Sequence, residues 1–175
     1  ATVRYGGNTT CIEVRCDDHI LVIDTGTGAR LLGKALIEEA QGAPISLSVV
    51  YSHWHLDHIQ GFPFFDPVYE SSAKLEIYCV PSQLMSPANV LANQMTDPAF
   101  PVGFDHLPAK VAFHHIRPGD TFKFGDAVVR TCPIEHPGGS IAIRVDHRGR
   151  SFVQCSDTEH TDAGPPADLV ELCRG

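Results

Sequence analysis

No apolar run in this sequence approaches the length of a bilayer span, and no signal-peptide pattern stands at its start, which reads ATVRYGG. A membrane-embedded protein is therefore not expected. The chain also has no C-x-x-C pair. Its six cysteines (Cys11, Cys16, Cys79, Cys132, Cys155 and Cys173) are scattered, most of them in apolar, strand-like runs where a free thiol behaves as a small hydrophobe. They read as reduced thiols of a cytoplasmic protein rather than as a zinc–thiolate site. Positive charge is scarce, with 13 Lys and Arg against 21 Asp and Glu and a formal net charge of −8. Gripping nucleic acid over a broad surface needs clustered Lys and Arg. The densest basic stretch, RVDHRGR (144–150), has the pattern of a hairpin turn, so extended nucleic-acid binding is not expected. There is no internal repeat. What remains is ordinary for a globular chain: 43% apolar and 19% charged over 175 residues, enough for one domain (1–175) with its own core.

Periodicity divides that chain into strands and a few helices. NTTCIEVRC and HILVIDTG form a hairpin about Asp17 and Asp18. Helical spacing of Leu31, Leu32, Ala35, Leu36 and Ile37 predicts an amphipathic helix over 27–40, ended by Gly42 and Pro44. ISLSVV (45–50) and LEIYCV are strands. A helix broken near Asp97–Pro98 is expected in 81–100. The strands KVAFHHI, TFKF, AVVRTCPI, SIAIRV and SFVQCS follow, and PPADLVELC opens a last helix. Strand-rich halves interrupted by helices predict two packed sheets with helices outside, an α/β class.

The densest chemistry follows ISLSVV. YSHWHLDHIQG (51–61) places His53, His55, Asp57 and His58 within six positions, where a core strand runs out and open α/β sheets place ligands. His53 and His55, two apart on extended backbone, point their rings to one side. Asp57 and His58 fall where a short helix begins and diverge from that pair, which suits two neighbouring metals better than one. Imidazole and carboxylate ligands suit zinc, manganese or iron. The bland alternative is a solvated, His-rich loop.

HWHLDH followed by Gly61 matches the H-x-H-x-D-H signature of the metallo-β-lactamase-fold hydrolases. Three further stretches continue the resemblance in order. VIDTGTG (22–28) resembles that superfamily's early Asp-Thr-Gly turn, EHPGGS (135–140) the loop carrying its next histidine ligand, and QCSDTEH (154–160) the strand end carrying its bridging aspartate. With the opening VRYGGNTTCIEV, the sequence is most similar to the phosphodiesterase branch that includes phosphoribosyl cyclic phosphate phosphodiesterase and tRNase Z. The resemblance implies an αββα sandwich. It implies a first metal held by His53, His55 and His136, a second held by Asp57 and His58, and Asp157 bridging both. Asp24 is either a turn former or an acceptor orienting a ligand imidazole. Trp54 is expected to pack beneath the loop. His114 and His115 are given no function, with at least one facing solvent. That branch carries further histidines after the bridging aspartate; here only His160 follows Asp157, so the domain is expected to be incomplete at its C-terminal part, with the last ligand of the second metal missing.

Two neighbouring zinc ions (Mn2+ or Fe2+ as alternatives) would make water acidic near neutral pH and stabilise phosphoryl oxygens. The expected reaction is hydrolysis of a small, cyclic or nucleotide-like phosphodiester, with Asp57 both ligating and orienting the nucleophile. No proton donor to the leaving group stands out unless His160 serves; otherwise His160 is a solvated histidine. A thioesterase or lactonase on the same fold, and a non-catalytic metal-binding module with an incomplete second site, are the alternatives. A homodimer is left open.

Overall fold

A computed structural model describes residues 2–159, 162 and 164–174. After a short helix, α1 (Thr2–Tyr5), strands β1 (Ile12–Cys16) and β2 (His19–Ile23) pair antiparallel. Asp17 makes the reversal with φ 53°, the left-handed region that aspartate tolerates better than most residues. Helix α2 (Ala29–Ala40) follows, then β3 (Ser46–Val50), a one-turn helix α3 (Leu56–Ile59), β4 (Lys74–Cys79), α4 (Pro87–Ala92) and β5 (Lys110–His115). Strands β2 to β5 are mutually parallel, so the first sheet runs β1-β2-β3-β4-β5 with an antiparallel edge. The second sheet is an antiparallel meander of β6 (Thr121–Phe124), β7 (Ala127–Ile134), β8 (Ser140–His147) and β9 (Arg150–Gln154), after which α5 (Ala167–Cys173) closes the described chain.

Strand alternation explains the layering. On β2 and β3, Val22, Leu47 and Val49 face outward onto Leu36 of α2, Leu91 of α4 and the phenylalanines of the 3-10 turns after α3. Leu21, Ile23 and Val50 face the other way and meet Val129, Ile141, Ile143 and Val145 of the second sheet. The far face of β7 and β8 presents Cys132, Ile134 and Ala142 to Leu169 and Leu172 of α5. Three apolar seams therefore separate four layers, the expected αββα sandwich; each fully buried aliphatic side chain in them contributes ~1.5–3 kcal/mol.

Two helices differ from their sequence-predicted bounds. The first starts at Ala29 rather than residue 27, with Gly28 as its N-cap. The helix in 81–100 is only six residues long. Ser86 Oγ accepts a hydrogen bond from Asn89 N at 3.3 Å, with Pro87 in the first turn, so a short local cap rather than a long apolar stripe defines it. Among the described residues, no helix is long and apolar enough to cross a membrane.

The last layer is fixed by one buried cation. The Arg144 guanidinium donates to the carbonyls of Leu172 (2.8 Å) and Arg174 at the end of α5, to Asp146 (2.8 Å) and to Ser151 (2.6 Å). Unsatisfied carbonyls at a helix C-terminus are a natural seat for a cation.

Candidate metal centre

Four loops meet where β2, β3, β7 and β9 end. Backbone hydrogen bonds tie them together: Asp24 N to Val50 O (3.0 Å), Thr25 N to His58 O (2.8 Å), Gly61 N to Thr25 O (2.8 Å), Ile141 N to Ser52 O (3.1 Å) and Glu159 N to Glu135 O (2.8 Å). The contact between the first two loops needs glycine. A Cβ on Gly61 would lie 2.0 Å from Gly26 O, and one on Gly26 would lie 2.3 Å from Asp57 O. The Gly61 that follows HWHLDH is thus there so that two backbones can touch.

This frame brings His53, His55, His58 and His136 into one cluster. The His53 ring centroid lies 4.5 Å from that of His55, 4.1 Å from His58 and 4.8 Å from His136. Donor atoms fall into two groups, His53–His55–His136 and His53–His58–Asp157, each with all its atoms within 4.8 Å of one another. His55 Nδ1 and His136 Nε2 are 2.9 Å apart, and His58 Nε2 is 2.8 Å from Asp157 Oδ2. Asp57 is exposed; its Oδ2 stands 3.5 Å from His58 Nε2, beside the second group rather than in it. Asp157 reaches its place with φ 55°, strained backbone of the kind that persists at functional sites.

The fit to a metal is shown by one atom. Among the described residues, His53 Nε2 is buried without a hydrogen-bond partner, a state that costs roughly 1–3 kcal/mol unless something accepts its lone pair. Its other nitrogen, Nδ1, is placed by Ser52 Oγ (3.1 Å) and Ser140 Oγ (3.4 Å). Burial, with the neighbouring His58, His55 and His136 adding to it, pushes the His53 pKa down to about 4. The ring is therefore neutral at pH 7, the form that ligates metal.

Asp24 supplies the order behind the cluster. It is fully buried, with φ 59°. Its Oδ1 accepts Ser52 N–H, and its Oδ2 accepts both Ser52 Oγ–H and His58 Nδ1–H, each at 2.8 Å. A chain results: His53 Nδ1–H to Ser52 Oγ–H to Asp24, with His58 Nδ1–H arriving from the other side. One carboxylate fixes the tautomers of two histidines and turns both Nε2 atoms toward the site. Burial raises the Asp24 pKa, opposed by the hydrogen bonds from His58 and Ser52. Burial also acts to lower that of His58, but the bond to Asp24 and the nearby carboxylates outweigh it, and the net shift is upward. Of the two roles the sequence leaves for Asp24, the orienting one is what the geometry shows.

Trp54 is half-buried against Tyr51, ring centroids 4.9 Å apart, and its Nε1–H donates to Val80 O at 2.8 Å. His114 and His115 are both exposed on β5, His114 paired with Glu76. His160 lies outside the described residues. Ser52 and Ser140 escaped the sequence reading, because a lone serine at a strand end carries no pattern; only the loop register shows what it touches.

The sequence matches the family model described as "Beta-lactamase superfamily domain" over residues 19–175. No curated protein matches it. Among solved structures, the metallo-beta-lactamase fold protein YhfI from Bacillus subtilis is similar at TM-score 0.60 and 20% identity, over 89% of this chain and 57% of that one. The short form of human tRNase Z (ELAC1) is similar at TM-score 0.61 and 18% identity, over 94% and 67%. The MIM-2 metallo-beta-lactamase is similar at 0.54 and 19%, over 94% and 62%. The chain thus spans a little over half the length of YhfI. Such identities show a shared fold, and the family match shows descent: the chain belongs to the β-lactamase superfamily and has the metallo-β-lactamase fold.

Proposed function

We propose that this chain is the core of a binuclear metal-dependent hydrolase, and that the bond it breaks is a phosphodiester in a small, nucleotide-like molecule. The carrying observation is the pair of neighbouring donor groups, with the buried His53 Nε2 left without a partner among the described residues. His53, His55 and His136 would hold one metal. His58 and Asp157 would hold the second, with Asp57 completing it from 3.5 Å away and Asp157 serving both. The imidazole and carboxylate donors suit zinc, with manganese or iron compatible. Bound there, zinc supplies Lewis acidity, making water acidic near neutral pH and stabilising charge that builds on phosphoryl oxygens.

The chain's own groups do the rest. Asp24, through Ser52 and His58, keeps the Nε2 lone pairs aimed inward. Asp57, exposed beside His58, would accept a hydrogen bond from the attacking water and orient it in line with phosphorus. The phosphodiester reading is supported by a second-site histidine beside two carboxylates and by the motif order across 3–160. Scarcity of basic residues supports a small substrate over a polynucleotide.

The test is hydrolysis of bis-p-nitrophenyl phosphate by the zinc-loaded protein. Activity should appear, and Asp57→Ala should lower kcat about 100-fold or more. Turnover of thioesters or lactones with none of the diester would defeat the phosphodiester assignment and keep the hydrolase. Binding of metal with no hydrolysis of any of them would favour a non-catalytic module.

A further inference from the structure

Beside the histidines lies a cleft of about 720 Å³, within the ~300–1,000 Å³ common for small-molecule sites. His53 and His55 form one end. One wall is the loop after β4, Val80 to Leu84; the other is Pro133, Ile134 and the Pro137–Ile141 stretch. Among the described residues, no Lys, Arg, Asp or Glu lines it. Beyond the two histidines, its polar lining residues are Tyr51, Ser52, Trp54, Ser82, Gln83 and Ser140; the Tyr51 hydroxyl is already bonded to Thr25 Oγ1 and the Ser52 hydroxyl to Asp24, each at 2.8 Å. The indole N–H is already engaged by Val80 O, which pins the half-buried ring to the 80–84 wall. Leu84 stands on that wall 91% exposed, a large apolar side chain presented to whatever enters.

We infer that this cleft takes the uncharged, ring-bearing arm of the ester whose phosphate lies at the histidine cluster, so that the substrate class is a phosphodiester with one neutral aromatic or heteroaromatic arm. The inference rests on the proposed metal centre, because only that centre places a phosphate at the cleft's histidine end. A charged arm would lose its hydration against a lining with no counter-charge. A flat ring gains apolar contact with Leu84 and Ile134 and can stack near Trp54, while Ser82 and Gln83 can hydrogen-bond ring heteroatoms.

Trp54 is the single tryptophan of the chain, so its fluorescence reports on the cleft without any turnover. The zinc-loaded protein is titrated with N-phenyl-1-naphthylamine, an uncharged aromatic probe that accepts energy from tryptophan. Saturable one-to-one transfer is expected. Diphenyl phosphate should displace the probe at concentrations where dimethyl phosphate does not, and Leu84→Asp, at an exposed position that the core does not need, should weaken probe binding about tenfold. Absence of saturable transfer, equal displacement by the two phosphates, or a Leu84→Asp variant that binds as well as the parent would each overturn the inference. Probe binding that behaves as described in a protein inert toward phosphodiesters strikes the proposed reaction and leaves the cleft assignment standing. Hydrolysis without probe binding does the reverse.

Discussion

Replacing Asp24 by Asn tests the hydrogen-bond chain behind the histidines with a change of almost no volume. The carboxylate receives three donors, Ser52 N–H, Ser52 Oγ–H and His58 Nδ1–H, all at 2.8 Å and all buried. An amide offers one acceptor and one donor group in the same two places. If its NH2 faces Ser52 N–H, two buried donors oppose each other, at a cost of ~1–3 kcal/mol of stability. If its NH2 faces His58 instead, Nδ1 must become an acceptor and the ring proton moves to Nε2, the atom 2.8 Å from Asp157. That proton then occupies the lone pair meant for metal. Either outcome weakens the second group, and outer-shell partners of ligand histidines are typically worth ~10–100-fold in metal affinity, which is ~1.4–2.7 kcal/mol. The assay is zinc titration against a chromophoric chelator, with thermal unfolding of the metal-free protein alongside. The His58–Asp157 step should weaken by that factor, while the His53–His55–His136 step changes less, since Ser140 also holds His53. Two unchanged zinc affinities in Asp24→Asn would refute the reasoning.

Two further predictions concern the frame. Gly61→Ala would set a Cβ 2.0 Å from Gly26 O; since backbone cannot yield as a side-chain tip does, urea unfolding should show ~1–3 kcal/mol of lost stability, and an unchanged midpoint would contradict the loop contact. Asp146 gives a pH signature: burial acts to raise its pKa, but hydrogen bonds from Ser151, Arg130 and Arg144 prevail and bring it down to about 2 from 3.8. The unfolded chain takes up that proton first as pH falls, so the group's stabilisation is complete above the unfolded value and disappears as pH drops from 3.8 toward about 2. The stability difference between the parent and Asp146→Asn, measured by urea unfolding, should therefore be constant from pH 7 to 5 and shrink below pH 4; a difference that does not shrink contradicts the ion-pair account.

What could be read from sequence was local. ISLSVV is β-branched and apolar, so its strand and the loop that follows it were legible, and the two-residue spacing of His53 and His55 already placed their rings together. HILVIDTG was legible as a strand, whereas the burial of Leu21 and Ile23 on one face of the sheet and Val22 on the other shows only in the fold. Asp24 was only half-legible: its turn position showed in VIDTG, but its three donors come from residues 28 and 34 positions away. The same holds for Ser140, 87 positions from His53. Asp57 shows the limit of motif spacing. The sequence puts it beside His58, while the one-turn helix α3 (Leu56–Ile59) directs it outward, to the edge of the donor group. The cleft had no sequence signal, since its walls are loops brought together by both sheets.

The central claim is that two metal sites stand side by side, one on His53, His55 and His136 and one on His58 and Asp157, and metal stoichiometry in three variants tests it most directly. After dialysis against a weak chelator, the parent should retain at least one equivalent of zinc by elemental analysis, and two once zinc is resupplied. His53→Ala and His136→Ala should each lose the first site and keep the second, and His58→Ala should do the opposite, because His53 Nε2 has one lone pair to give and Asp157 and Asp57 remain beside His58. Retention of the parent's full metal content by His53→Ala would contradict the account.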